Sequence, residues 1–428
     1  MDCPSPRVDG DRLWRSIMEM ARIGATPAGG CRRLALTDED KAGRDLFVSW
    51  CRDAGCRISV DDMGNIFARR PGRREGLPAV ATGSHLDTQP HGGRFDGVYG
   101  VLAGLEVIRT LNEHGVETEA PVDVVVWTNE EGARFAPAML ASGVFAGLFD
   151  RAFALGRTDG NGRTLGAELD RIGYLGDEPC GDRAFDSYFE AHIEQGPILE
   201  RKGRTIGVVL GGQGQRWYDV TLGGQDAHAG STPLAGRRDA LVAAAGVVFA
   251  ARHAALDHSP KAVGTVGQLD VIPNSRNTVP GLVRLAVDLR HPDDEVLAEM
   301  DASFRGRTEA ACRSESVALE IDEIWRNPAV HFDRDCVDAV RNAARSLGYF
   351  HLDMVSGAGH DACQICHTTP AAMIFVPCAG GVSHNEAESA KPADLEAGCN
   401  VLLQAVMHRS RSARRLANQP TSQQGGLS

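Results

Sequence analysis

Residues 83–100 read GSHLDTQPHGGRFDGVYG and place His85, Asp87, His91 and Asp96 in one glycine-rich stretch after an apolar run. Other polar clusters also follow apolar segments: Glu130 and Glu131 after PVDVVVWTN, His192 in EAHIEQGPILE, and His384 in CAGGVSHNEAE. Imidazole and carboxylate donors in this mixture suit Zn²⁺, Mn²⁺ or Co²⁺. A single histidine after a strand is more often a satisfied core or surface residue. Five such pieces, each at the edge where a crevice is expected, point instead to a metal centre. Two ions about 3.5–4 Å apart can share one carboxylate, a layout suited to metal-assisted hydrolysis.

Positioning these groups requires a scaffold. RLWRSIMEMARIG and DKAGRDLFVSWCRDAG show helical spacing and end near glycine. LPAVATGSH reads as a short buried strand, and GVYGVLAGLEVIRTLNEHG as a helix with Val101, Leu105, Ile108 and Leu111 on one face. PVDVVVW is a β-branched strand running into the glutamate pair. Strand, helix and strand at this spacing imply α/β architecture, a mostly parallel sheet covered by helices, whose ligand crevice lies beyond the strands' C-terminal ends. From 214 to 329 the pattern changes to alternating strands (RWYDVTLGGQ, KAVGTVGQLDVI, GLVRLAVDLRH) around an alanine-rich helix near 240–255. An inserted, smaller α+β dimerisation or lid domain at 214–329 is expected, with 1–213 and 330–428 forming a discontinuous catalytic domain. The helix and strand alternation returns in CVDAVRNAARSLG and AAMIFVPC, and the polar tail ANQPTSQQGGLS is expected to be disordered.

Composition narrows the class. A chain of 428 residues favours two domains. Its net charge of −12 argues against nucleic acid and anionic membrane as partners, since both attract basic patches. The longest apolar run, ALVAAAGVVFAA, has 12 residues and is too short to span a bilayer. The start MDCPSPRVDGDRLW lacks a basic segment followed by an apolar core, so no secretory signal is expected. Eleven cysteines, an odd count, then read as free thiols of a cytoplasmic enzyme. CQICH, with Cys363 and Cys366, fits a haem-attachment signature, but that attachment belongs to exported proteins, and no second C-x-x-C pair completes a zinc ribbon.

GSHLDTQPHGGRFDGVYG, TNEEGARF, HIEQGPILE, DAHAGSTP, PNSRNTVPG and SGAGHDA together resemble the hydantoinase/carbamoylase family of dinuclear-metal amidases, in order from about residue 10 to 410. The resemblance implies two divalent ions per chain (Zn²⁺ first, with Mn²⁺, Co²⁺ or Ni²⁺ as alternatives). His85 and His192 would hold one, Glu131 and His384 the other, with Asp96 bridging. Asp87 would orient His85 from behind. Glu130 would be the general base, because one of two adjacent glutamates must stay off the metal to shuttle protons. Arg290 would grip a substrate carboxylate bidentately with help from Asn277. His228 would stabilise the oxyanion in the partner chain's site, Gln195 would contact the carbamoyl group, and Gly357 and Gly359 would bring backbone amides near the substrate. His91 and His360 are read as non-ligands.

The implied reaction is hydrolysis of the carbamoyl C–N bond of a small carboxylate-bearing ureido substrate by a homodimer. N-carbamoyl-L-α-amino acids and N-carbamoyl-β-alanine are the first expectations and allantoate the alternative. An aminoacylase or dipeptidase reading stands behind them, because the same metal core serves several C–N bonds. Many peptidase relatives carry an acidic residue where His192 stands.

Overall fold

The computed structural model describes residues 5–417. The tail from Asn418 onward lies outside the described residues. The chain divides into two compact units, one running to Leu210 and resuming at His331, the other Gly211–Val330.

The larger unit is built on a nine-stranded sheet. Its centre is four strands in the order Val122–Trp127, Ala79–His85, Phe185–Ile193 and Ala371–Val376, all parallel. Antiparallel strands flank them, Ile66–Arg70 beside Val122–Trp127 and Ile206–Gly212 beside Ala371–Val376. Every residue of Ala79–His85 and of Val122–Trp127 is buried, which is why AVATG and VVVW carry no polar alternation. The helix Val98–Glu113 is buried over most of its length. It packs on these strands and on the helices Gly10–Met20 and Pro392–Ala417, so it carries apolar residues on more than one face. Parallel register brings the strand ends level: His85 pairs with Trp127, and Phe375 with His192. The polar residues that end these strands therefore gather at one sheet edge.

The smaller unit is a four-stranded antiparallel sheet in the order Ala318–Asn327, Gly214–Gly223, Leu282–His291, Val263–Ile272. Gly214–Gly223 alternates buried and exposed positions, with Tyr218, Val220 and Leu222 turned inward. Two helices, Ala240–Leu256 and Asp294–Ser314, cover that inner face through Ala244, Val247, Met300 and Phe304. A two-stranded ribbon pairs Ala227–His228 with Thr278–Val279.

Candidate metal centre and active site

His85 ends its strand with its ring buried. Its Nδ1–H donates to the Asp87 main-chain carbonyl at 2.9 Å, which turns Nε2 toward Asp96 Oδ1 at 3.6 Å. His192 repeats this arrangement: Nδ1–H donates to Ile193 O at 2.8 Å, and Nε2 lies 3.1 Å from the same Asp96 oxygen. A carbonyl only accepts, so both rings carry a proton on Nδ1, and Nε2 is the nitrogen each turns toward Asp96. The second oxygen of Asp96 faces the other way, 3.4 Å from His384 Nε2, which itself lies 3.4 Å from Glu131 Oε2. Asp96 thus lends one oxygen to each of two donor groups, His85–Asp96–His192 and Asp96–Glu131–His384. Backbone shape enforces the arrangement. Gly97 has φ +66°, and a Cβ there would lie 2.4 Å from the His85 ring. Asn129, Gln195 and His384 are non-glycine residues at positive φ around the same cluster.

Glu131 is fixed by Gln89, whose N–H and side-chain amide donate to it at 3.1 and 2.7 Å. Glu130 points instead into the inner group, with Oε2 3.5 Å from His85 Nε2. Asp87 orients His85 as the sequence reading expects, through its main-chain carbonyl. Its carboxylate does not reach His85; it accepts the backbone N–H groups of Glu130 and Glu131 at 3.3 and 3.2 Å, while its carbonyl orients the histidine.

The electrostatics ask for cations. Burial, reinforced by Asp361 and Glu131, raises Glu130 well above the usual carboxylate range, and burial with Asp96 does the same to Glu131. Burial lowers His85 to about 4, so it stands neutral as a metal-ready base. Among the described residues, the ion pairs of Asp96, Glu130 and Glu131 run to histidines alone. Ligands on one tetrahedral ion, with bonds of about 2.0–2.2 Å, sit roughly 3.3–3.5 Å apart, close to the spacings found here. The donor set therefore fits divalent metal.

Other expected site residues are placed as follows. Gln195 donates to Asp96 Oδ2 at 2.9 Å, inside the outer donor group, and its buried Oε1 has no hydrogen-bond partner among the described residues. Gly357 and Gly359 lie in the turn between the strand His351–Ser356 and the helix Asp361–Ile365; a Cβ on Gly359 would meet the Met139 methyl at 2.7 Å. His360 is buried against His192, ring centroids 4.5 Å apart, with Nε2 bonded to Ser356 Oγ at 3.0 Å. It also falls within a buried Glu190–His192–His360 group. His91 is exposed, 3.8 Å from Glu386.

In the smaller unit, His228 Nδ1 accepts from the N–H groups of Gly230 and Ser231, both at 3.1 Å, so its outward Nε2 carries the proton and is a donor. Asn277 is its neighbour, since the Ala229 N–H donates to Asn277 O at 2.8 Å. Arg290 stands at the far end of the strand Leu282–His291, its Nε and Nη2 held by Asp288 at 2.9 and 2.7 Å. Eight strand residues at about 3.4 Å each put Arg290 roughly 27 Å from the ribbon that carries His228 and Asn277. Within one chain, Asn277 therefore cannot help Arg290 hold one carboxylate, which corrects the sequence expectation.

Sequence reasoning passed over Glu388. It is buried, accepts the backbone N–H groups of Phe95 and Asp96 at 2.9 and 3.2 Å, and is joined to Asp96 through Ser383 Oγ. A Cβ on Gly93 would lie 2.0 Å from its carboxylate, so GG in HGGRF was its signal. The ten described cysteines, Cys363 and Cys366 among them, are free thiols.

A family model described as peptidase family M20/M25/M40 matches residues 81–408. The chain belongs to this family. Within it, the chain is 50% identical over 401 residues to an N-carbamoyl-L-amino-acid amidohydrolase of Rhizobium meliloti, covering 94% of this chain and 96% of the relative. It is 34% identical over 395 residues to an allantoate amidohydrolase of Bacillus subtilis, covering 90% and 93%. A crystal structure of an amidase of the hydantoinase/carbamoylase family from Burkholderia multivorans superposes with a TM-score of 0.93 at 58% identity, covering 95% of this chain and 99% of that one. This M20 chain is thus an amidohydrolase of the hydantoinase/carbamoylase type, a hydrolase of amide C–N bonds.

Proposed function

We propose that this amidohydrolase removes the carbamoyl group from N-carbamoyl-L-α-amino acids, using two divalent ions held by His85, His192, Glu131 and His384 with Asp96 shared. The observation that carries this reading is Asp96, one oxygen in each donor group, with Glu130 buried beside them. Ions at these donors supply Lewis acidity, polarising a carbonyl and lowering the pKa of water toward about 7. Glu130 takes the proton of the attacking water and returns it to the leaving α-nitrogen as the carbamoyl C–N bond breaks. The carbamate released decomposes to CO₂ and ammonia. Zn²⁺ suits the mixed imidazole and carboxylate set, with Mn²⁺, Co²⁺ and Ni²⁺ as substitutes.

Arg290, held in place by Asp288, takes the substrate carboxylate, and His228 Nε2–H meets the developing oxyanion. The strand Leu282–His291, whose length separates Arg290 from the ribbon that carries His228, means that one substrate drawing on both uses two copies of the smaller unit. A homodimer is supported by exposed Val242, Val248, Phe249 and Leu256 on the helix Ala240–Leu256 and by the edge strand Val263–Ile272 beside it. The free thiols agree with a reducing cytoplasm, and among the described residues no helix is long and apolar enough to cross a membrane.

The substrate is tested by ammonia release from matched N-carbamoyl acids, their carboxamides, N-carbamoyl-β-alanine, allantoate and a dipeptide set. An amide in place of the carboxylate forfeits the charge-assisted bonds to Arg290, with an expected loss of roughly 10²–10⁴ in rate. Arg290→Ala should erase the difference between acid and amide. Equal wild-type rates would remove Arg290 from this role, allantoate as the best substrate would select the alternative, and a dipeptide would select a peptidase.

Shared sites predict complementation. Inactive His228→Ala and inactive Glu130→Gln proteins, once mixed and allowed to exchange subunits, should recover part of the wild-type rate. No recovery, with exchange shown independently by mass, would place His228 in its own chain's site or outside catalysis.

A further inference from the structure

The sheet of the smaller unit packs one face on its helices and leaves the other bare. On the bare face Trp217, 40% exposed, stands directly across the ladder from Asp288 on one side and Trp325 on the other. The two indoles lie together, ring centroids 6.1 Å apart at 37°. Asp288 is also the ion partner of Arg290 at 2.7 Å, two residues further along its strand and on the same face. Same-face diagonal neighbours across a ladder lie about 7–8 Å apart, so Arg290 and Trp217 border one continuous surface. The next row of this face is acidic, with exposed Asp219 and Asp322 directly opposite each other. An indole pair with Trp217 exposed and Trp325 half-buried, rimmed by charge, is the kind of apolar patch that marks a ligand face.

We propose that Trp217 and Trp325 form the subsite for the substrate side chain, selecting aromatic N-carbamoyl-L-amino acids and rejecting acidic ones. This rests on the N-carbamoyl reading above and on Arg290 holding the carboxylate. In an N-carbamoyl-α-amino acid the side chain branches from the carbon that bears the carboxylate. A carboxylate on Arg290 therefore delivers an aromatic ring to the indoles, where offset or edge-on contact at about 4.5–7 Å is favourable. N-carbamoyl-β-alanine has no side chain to place there. An acidic side chain meets Asp288 and Asp219 as like charges.

Steady-state rates on N-carbamoyl derivatives of L-phenylalanine, L-tryptophan, glycine and L-glutamate test this, in wild type, Trp217→Ala and Trp217→Phe. Wild type should favour the phenylalanine derivative over glycine by about tenfold or more in kcat/KM, with glutamate lowest. Trp217→Ala should shrink the phenylalanine-to-glycine ratio about tenfold, and Trp217→Phe should keep it within about threefold. Because the readout is a ratio, a misfolded fraction cancels. N-carbamoyl acids turned over with a ratio unmoved by Trp217→Ala would overturn the subsite alone. A wild type inactive on every N-carbamoyl acid would overturn the reaction and the subsite together.

Discussion

Glu130→Gln is expected to lower kcat by about 10²–10⁴ while the protein keeps its full metal content. The reason lies in how the chain divides two adjacent glutamates. Asp87 accepts both of their backbone N–H groups and so fixes the turn that sends the side chains apart. Gln89 then ties Glu131 into the outer donor group beside His384. Glu130, left beside His85 and raised by burial and by Asp361 behind it, holds its proton more tightly than an ordinary carboxylate. A carboxylate of raised pKa takes a proton from water more readily and still carries it near neutrality, when expulsion of the α-nitrogen requires one. Gln is nearly isosteric and can neither take nor give that proton. Glu131→Ala should instead lose metal from the outer group together with activity. Metal loss in Glu130→Gln with retention in Glu131→Ala would reverse the two assignments.

Metal removal is expected to have an equally large effect. Dialysis against a chelator should abolish hydrolysis, and Zn²⁺, Mn²⁺, Co²⁺ or Ni²⁺ should restore it. The same treatment should lower the melting temperature, because an ion that binds only the folded chain adds about 4 kcal/mol at a thousand times its Kd. Both effects follow from a largely buried cluster whose carboxylates, among the described residues, form ion pairs with histidines alone. Full turnover in metal-free protein would exclude the mechanism.

The donors were legible in the sequence because a buried parallel strand is a continuous apolar run, and His85, Glu130, Glu131 and His192 each stand where such a run stops. Parallel pairing then makes those stops neighbours without long-range information. The helices Val98–Glu113 and Ala240–Leu256 were legible from their apolar runs for the same local reason. Contacts to backbone amides were not legible, since an amide has no residue identity to recognise. Asp87 and Glu388 both act on amides, and only the excluded volume at Gly93 hinted at Glu388. Arg290 and Asn277 looked like partners because each resembles a carboxylate-binding residue. The length of the strand between them, a property of antiparallel topology, separates them within one chain. Asp288, two residues before Arg290 on one strand face, was readable from the spacing DLR alone.

The sharing of Asp96 between two ions is tested most directly by counting metal per chain in wild type, His384→Ala and Asp96→Ala by elemental mass spectrometry. Two ions per chain are expected in wild type, one in His384→Ala, and fewer than one in Asp96→Ala, with native circular dichroism in all three. A wild type that saturates at one ion, or an Asp96→Ala protein that keeps two, would contradict a centre built around that carboxylate.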